Sequence, residues 1–187
     1  SACSDLAYVM HTSGSSGAPK GAMVLQRNVM NLLAWSAFGE HHTLCREDVF
    51  VWQSSISFDM LILDLLWPAS VECGILAVRD ERNSDGFAHA MQESNAAVLF
   101  IVPSHLSVLL GSVWCKPLEL GLAGGDGLSQ KLSESTESRG VQPLNFYGPT
   151  ECTVGISSHL VKRERESEGL VPIGRAFPNA KLVIHGI

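Results

Sequence analysis

The sequence predicts an α/β fold in which layered, mainly parallel sheets are flanked by helices, and three observations carry that expectation. Strand-like and helix-like segments alternate over most of the 187 residues, as βαβ units do. The run Ala96-Ala97-Val98-Leu99-Phe100-Ile101-Val102 is apolar without interruption, the pattern of a strand buried on both faces. Glycine-containing loops follow two of the expected strands, at residues 12–21 and at Gly124-Gly125-Asp126, where ligands of open α/β sheets are held.

Taken in order, residues 6–11 (Leu-Ala-Tyr-Val-Met-His) read as a buried strand that delivers the loop Thr12-Ser13-Gly14-Ser15-Ser16-Gly17-Ala18-Pro19-Lys20-Gly21. Residues 22–25 form a short strand, Asn28 is the expected N-cap, and residues 29–38 carry apolar side chains at helical spacing. Residues 49–53 are the next strand. The apolar run 58–67, with Asp59 and Asp64 set into it, reads as a buried helix ended by Pro68. A strand at 74–78, a helix at 84–94, the buried strand at 96–102 and a helix capped by Ser104 follow. Residues 118–123 lead as a strand into Gly124-Gly125-Asp126, 129–139 form a polar helix, and 143–146 and 153–160 are strands. The charged run 162–168 reads as a solvated loop, and Leu182-Val183-Ile184 as the start of another strand. With no internal repeat, low-complexity tract or linker, one continuous domain or part of one is expected.

Composition narrows the function. The net charge is −6 and the 13 Lys and Arg residues are scattered, which argues against a nucleic-acid or anionic-membrane surface. No apolar run approaches the roughly 20 residues of a membrane span, and a cytoplasmic protein is expected. Five cysteines, odd in number and widely spaced, suggest free thiols rather than disulfides or a zinc site. The pair His41-His42 lacks a third ligand at metal-binding spacing and reads as solvated residues at a helix end.

The loop at 12–21 combines four hydroxyls, three glycines and Lys20, which together offer donors, close backbone approach and positive charge to a polyphosphate. It is not a Walker loop, because Ala18-Pro19 separate Gly17 from Lys20 and Gly21 follows the lysine. A Gly/Ser surface turn would not need the lysine. Together with Phe58-Asp59, Gly124-Gly125-Asp126, Tyr147-Gly148-Pro149-Thr150-Glu151 and Pro172-Ile173-Gly174-Arg175 followed by Asn179, it resembles the ordered motifs of the adenylate-forming (AMP-binding) superfamily. The resemblance spans nearly the whole chain and is strongest to the adenylation domains of nonribosomal peptide synthetases.

That resemblance implies ATP and Mg²⁺ as cofactors and a two-step reaction. A carboxylate attacks the α-phosphate of ATP to give an acyl-adenylate, and a thiol then captures the acyl group, in peptide synthetases the phosphopantetheine of a carrier protein. It assigns Thr12, Ser13, Gly14, Ser15, Ser16, Gly17 and Lys20 to the β- and γ-phosphates, Thr150 to the α-phosphate and Glu151 to the metal. Lys20, Thr150 and Glu151 are thus its catalytic set. Tyr147 with Gly148, and Asn145 with Gly124, Gly125 and Asp126, would line the adenine. Asp59 would pair with a substrate α-ammonium, consistent with the several kcal/mol that an unpaired buried carboxylate costs. Capping of the helix at Met60 is the other reading of Asp59. The pocket wall carried over is Asp59, Met60, Leu63, Phe100, Leu122, Gly124, Phe146, Val154 and Gly155. Apart from Asp59 it has no charge or side-chain donor, so an apolar amino acid of branched aliphatic type is expected.

The chain departs from the family pattern at His11, where an aromatic is usual, at Leu61 in place of Ser, and at Asp126 in place of Glu. The resemblance further implies that residues 1–187 are part of the N-terminal AMP-binding domain. The ribose-binding Asp, the hinge and the small domain with a catalytic Lys would then lie beyond Ile187, and this chain alone would turn over little. An acyl-CoA synthetase of the same superfamily and a non-catalytic nucleotide-binding module are the alternatives.

Overall fold

The computed structural model describes residues 3–13, 17–38, 44–78, 84–111, 118–162 and 169–185. Two sheets account for its strands. A two-stranded antiparallel hairpin pairs β1 (Leu6–Thr12) with β2 (Lys20–Leu25), and a seven-stranded sheet runs in the order β4-β3-β5-β6-β7-β8-β9. In the larger sheet β3 (Val49–Trp52), β4 (Gly74–Ala77), β5 (Ala96–Ile101), β6 (Leu120–Gly124) and β7 (Gln142–Tyr147) are parallel, while β8 (Ser157–Leu160) and β9 (Arg175–Ala176) close one edge antiparallel.

Among the described residues five α-helices connect these strands: α1 (Gln26–Phe38), α2 (Met60–Val71), α3 (Ser84–Glu93), α4 (Pro103–Leu109) and α5 (Gln130–Ser138). The period-2 alternation of the strands sorts the core into two clusters. Val98 and Phe100 of β5 pack with Leu32 and Trp35 of α1 and Leu63 and Trp67 of α2. Leu99 and Ile101 pack with Phe87 and Met91 of α3 and Leu106 and Leu109 of α4. All six residues of β5 are buried, as its uninterrupted apolar run requires.

Several local expectations are corrected. β1 is mostly exposed, and it pairs with β2 rather than entering the parallel sheet, so the loop at 12–21 joins two hairpin strands. Asn28 lies inside α1, where its Oδ1 accepts from the Leu25 amide at 3.1 Å, reaching back to the residue before the helix as a capping-box side chain does. The cap of α4 is Val102, because Pro103 suits the first helical position with its fixed φ and missing N–H. Pro68 does not end α2, which continues to Val71 and stops at Glu72 in the left-handed conformation. Burial of Leu63 and Trp67 outweighs the one ladder bond a proline removes. Ser129 caps α5 as expected, accepting from the Leu132 amide at 3.2 Å. Leu182, Val183 and Ile184 take no regular structure and are exposed. His41-His42 and residues 163–168 lie outside the described residues.

Candidate functional site

In the larger sheet β3 is flanked by β4 on one side and β5 on the other, so successive connections diverge there and the carboxyl ends of β3 and β5 open a crevice. The segment leaving β3 is fastened across it. Gln53 Nε2 donates to the Phe100 carbonyl at 3.1 Å, Trp52 Nε1 to the Ser54 carbonyl at 3.0 Å, and the Ser54 amide to Asp64 Oδ2 at 3.3 Å. These bonds fix the approach to Asp59 at the start of α2.

Asp59 stands at the N-cap of α2, with helical φ −68° and ψ −15°, and makes no side-chain capping hydrogen bond. Its Oδ2 is buried without a hydrogen-bond partner. Burial pushes its pKa up, while the Thr150 hydroxyl, its own amide and the amides of Val154 and Met60 pull the other way by stabilising the ionised form. A carboxylate in that state has room for one more donor or cation.

β7 ends at Tyr147, and Gly148-Pro149 lead into a single 3-10 turn, Thr150–Cys152. Gly148 fits because a Cβ there would lie 2.4 Å from the Gly155 Cα. Thr153 and Val154 then adopt φ 64° and 66°, a conformation β-branched residues rarely accept. The turn delays the next strand to Ser157, four residues later than the sequence suggests. It also brings Thr150 and Val154 onto Asp59 and turns Glu151 outward.

Glu151 meets the first loop there, its Oε1 accepting from the Thr12 hydroxyl at 3.5 Å. Thr12 is paired with Lys20 across the hairpin, and Lys20, Ser13 and Gly17 are exposed. Gly14, Ser15 and Ser16 lie outside the described residues. The two motifs, 139 positions apart, thus form one polar rim, joined through Thr150 to Asp59.

Gly124-Gly125-Asp126 lies at the end of β6, with Gly125 at φ 87° and Asp126 exposed, its Oδ1 accepting from the Gly127 amide at 2.7 Å. Tyr147 is exposed. Asn145 is not placed as expected. It is 4% exposed, and its side-chain amide donates to the carbonyls of Val171 and Pro172 at 3.0 and 2.9 Å, so both of its hydrogens hold the fold together. Sequence reasoning also missed Trp35 and Phe177, whose stacked rings (centroids 4.2 Å apart) back Phe146. The helical spacing of Leu32 and Trp35 signalled that face of α1, but nothing local pointed to Phe177.

Among the described residues no group of three or more His, Cys, Asp or Glu side chains could hold a metal by themselves. One outward carboxylate beside a hydroxyl does suit Mg²⁺, which keeps several waters and is completed by substrate phosphates rather than by an all-protein cage.

The family model described as AMP-binding enzyme matches residues 2–186. The chain belongs to this family. AMP-binding relatives include the zwittermicin A synthase ZmaJ of Bacillus cereus, 29% identical over 97% of this chain and 37% of its own length. Indigoidine synthase of Dickeya dadantii is 32% identical over 96% of this chain and 12% of its own length. Among solved AMP-binding structures, the adenylation domain AlmE of Vibrio cholerae, in complex with glycyl-adenosine-5'-phosphate, superimposes with a TM-score of 0.84 at 26% identity, over 94% of this chain and 34% of that one. The chain therefore spans a minor part of the AMP-binding proteins it matches.

Proposed function

We propose that this chain carries the ATP- and amino-acid-binding face of an adenylating enzyme, and that the substrate is an amino acid with an apolar side chain. The observation that supports this best is the buried, unpartnered oxygen of Asp59, one residue removed, through Thr150, from the rim that Thr12 and Glu151 form. A substrate α-ammonium supplies the cation such an oxygen calls for. The synthases among the relatives, and the glycyl-adenylate held by the Vibrio cholerae domain, favour the same reading.

In this reading a carboxylate oxygen of the amino acid bonds to the α-phosphorus, and the bond to the β-phosphate oxygen breaks, its electrons leaving with pyrophosphate. Asp59 holds the ammonium so that the carboxylate is presented in line, which converts an encounter into an oriented attack. Lys20 and the hydroxyls of Thr12 and Ser13 take the charge that grows on the departing phosphates. Glu151 would hold Mg²⁺, which when bound neutralises phosphate charge. Tyr147, exposed at the end of β7, offers its ring to the adenine beside Gly124 and Gly125. A carrier-protein phosphopantetheine thiol is the acceptor we assign to the second step.

ATP–pyrophosphate exchange by the full-length protein, supplied with a panel of amino and fatty acids, tests the proposal. Amino acids are expected to support exchange, with Asp59→Ala lowering it by about 100-fold or more, as loss of one charge-assisted contact does. Exchange driven by fatty acids and indifferent to Asp59→Ala would overturn it in favour of an acyl-CoA synthetase.

A further inference from the structure

The residues expected to wall the substrate side chain pack against one another and leave no open space among them. Leu63 and Leu122 are 0% exposed, Phe100 1%, Phe146 3% and Val154 4%, so solvent does not reach between them. All five belong to a single packed cluster, with Met60 half-buried at its margin. The Val154 amide lies on Asp59, so this cluster adjoins the place proposed for the ammonium.

Two rings occupy that region. Phe100 and Phe146 meet edge to face, with centroids 5.0 Å apart and planes at 68°. A Cβ added at Gly124 would come within 2.8 Å of the Phe100 ring, and one added at Gly155 within 1.9 Å of the Phe146 ring. There is no space for one further carbon at either backbone. Phe146 is held in turn by Trp35 at 5.3 Å and Phe177 at 5.6 Å, and Trp35 by Trp67 at 6.2 Å. A ring packed on three sides at interior density does not swing aside at small cost.

We propose that the side-chain site admits a hydrogen or a methyl group, that the amino acid activated is glycine or alanine, and that Phe100 and Phe146 set this limit. The inference rests on the reading of Asp59 as the ammonium partner. It narrows the expectation drawn from the wall's composition, because a branched aliphatic side chain would have to displace the rings.

The test is pyrophosphate exchange by the full-length protein with glycine, alanine, valine, leucine and phenylalanine, together with fatty acids. Glycine or alanine is expected to give the highest kcat/KM, with valine and leucine lower by at least about 10-fold. Phe100→Ala, or Phe100→Leu should the larger truncation impair folding, is expected to move the preference toward valine or leucine by a similar factor. Highest kcat/KM with leucine or phenylalanine in the wild-type protein would overturn the size limit and leave amino-acid activation standing. Exchange with fatty acids alone would overturn both.

Discussion

Two aspartates, one at the start of α2 and one within it, illustrate how burial turns the same side chain to different uses. Asp59 keeps a partly exposed position and a raised pKa, so its proton arrives at a higher pH than on a free aspartate. In the proposed pairing, protonation removes the counter-charge of the ammonium, and the KM for the amino acid is therefore expected to rise as the pH falls. Asp59→Asn, neutral at every pH, should show a high KM without that acid limb, and a wild-type KM flat in pH would count against the pairing. Asp64 is 0% exposed, and burial pushes its pKa from 3.8 to about 7, against the opposing pull of Ser54. The folded protein then holds a proton that the unfolded chain has released between pH 3.8 and about 7. Stability falls as pH rises through that window and levels off above it, by about 4 kcal/mol in total. Thermal midpoints measured at pH 5 and pH 8 should differ in the wild type, and the difference should shrink in Asp64→Asn. The sequence displayed both aspartates inside an apolar run, and the cost of burial was drawn for Asp59 alone. It could not divide their roles, because only the tertiary fold sends Thr150 and Val154 to one and Ser54 to the other.

At the level of elements, the strands and helices of the parallel sheet were legible because each follows from local periodicity, and the apolar run at β5 marked a strand buried on both faces. What was not legible depends on partners distant in sequence. Nothing in residues 6–11 distinguishes an exposed hairpin strand from a buried one, and Pro68 stops α2 or passes through it according to how Leu63 and Trp67 are packed. The edge pairing of β8 with β9 depends on Gly174 in a similar way. Its φ is 77°, and a Cβ there would lie 1.9 Å from the Ser158 carbonyl oxygen. Gly174→Ala is expected to destabilise the protein by about 3 kcal/mol, combining left-handed strain with a backbone clash. That corresponds to a thermal midpoint lower by about 6 °C or more, and an unchanged midpoint would refute the close approach. The Asn31–Asn179 pair, bonded at 2.9 Å, fastens the segment after β9 to α1 and so keeps Phe177 against Trp35.

For the whole molecule, the decisive event is the meeting of two separate sheets at Thr12 and Glu151. The resemblance to the adenylate-forming superfamily implied that the first loop and the turn after β7 lie close together, though not that a hydroxyl and a carboxylate would touch there. If the rim holds the phosphates as proposed, Thr12→Val and Glu151→Gln should each slow pyrophosphate exchange, and together by less than the product of the two factors, since the two side chains touch. Strictly multiplicative losses would show that the two groups act apart. The strained turn at Thr153 and Val154 carries a further consequence for anyone seeking to change what the protein accepts. A larger or more branched residue at 154 must tolerate a left-handed backbone as well as the contacts around it, whereas Phe100 lies on an ordinary interior strand of the sheet. Redesign is thus directed to β5, where side-chain volume can be removed while the turn that serves Asp59 and Glu151 keeps its shape.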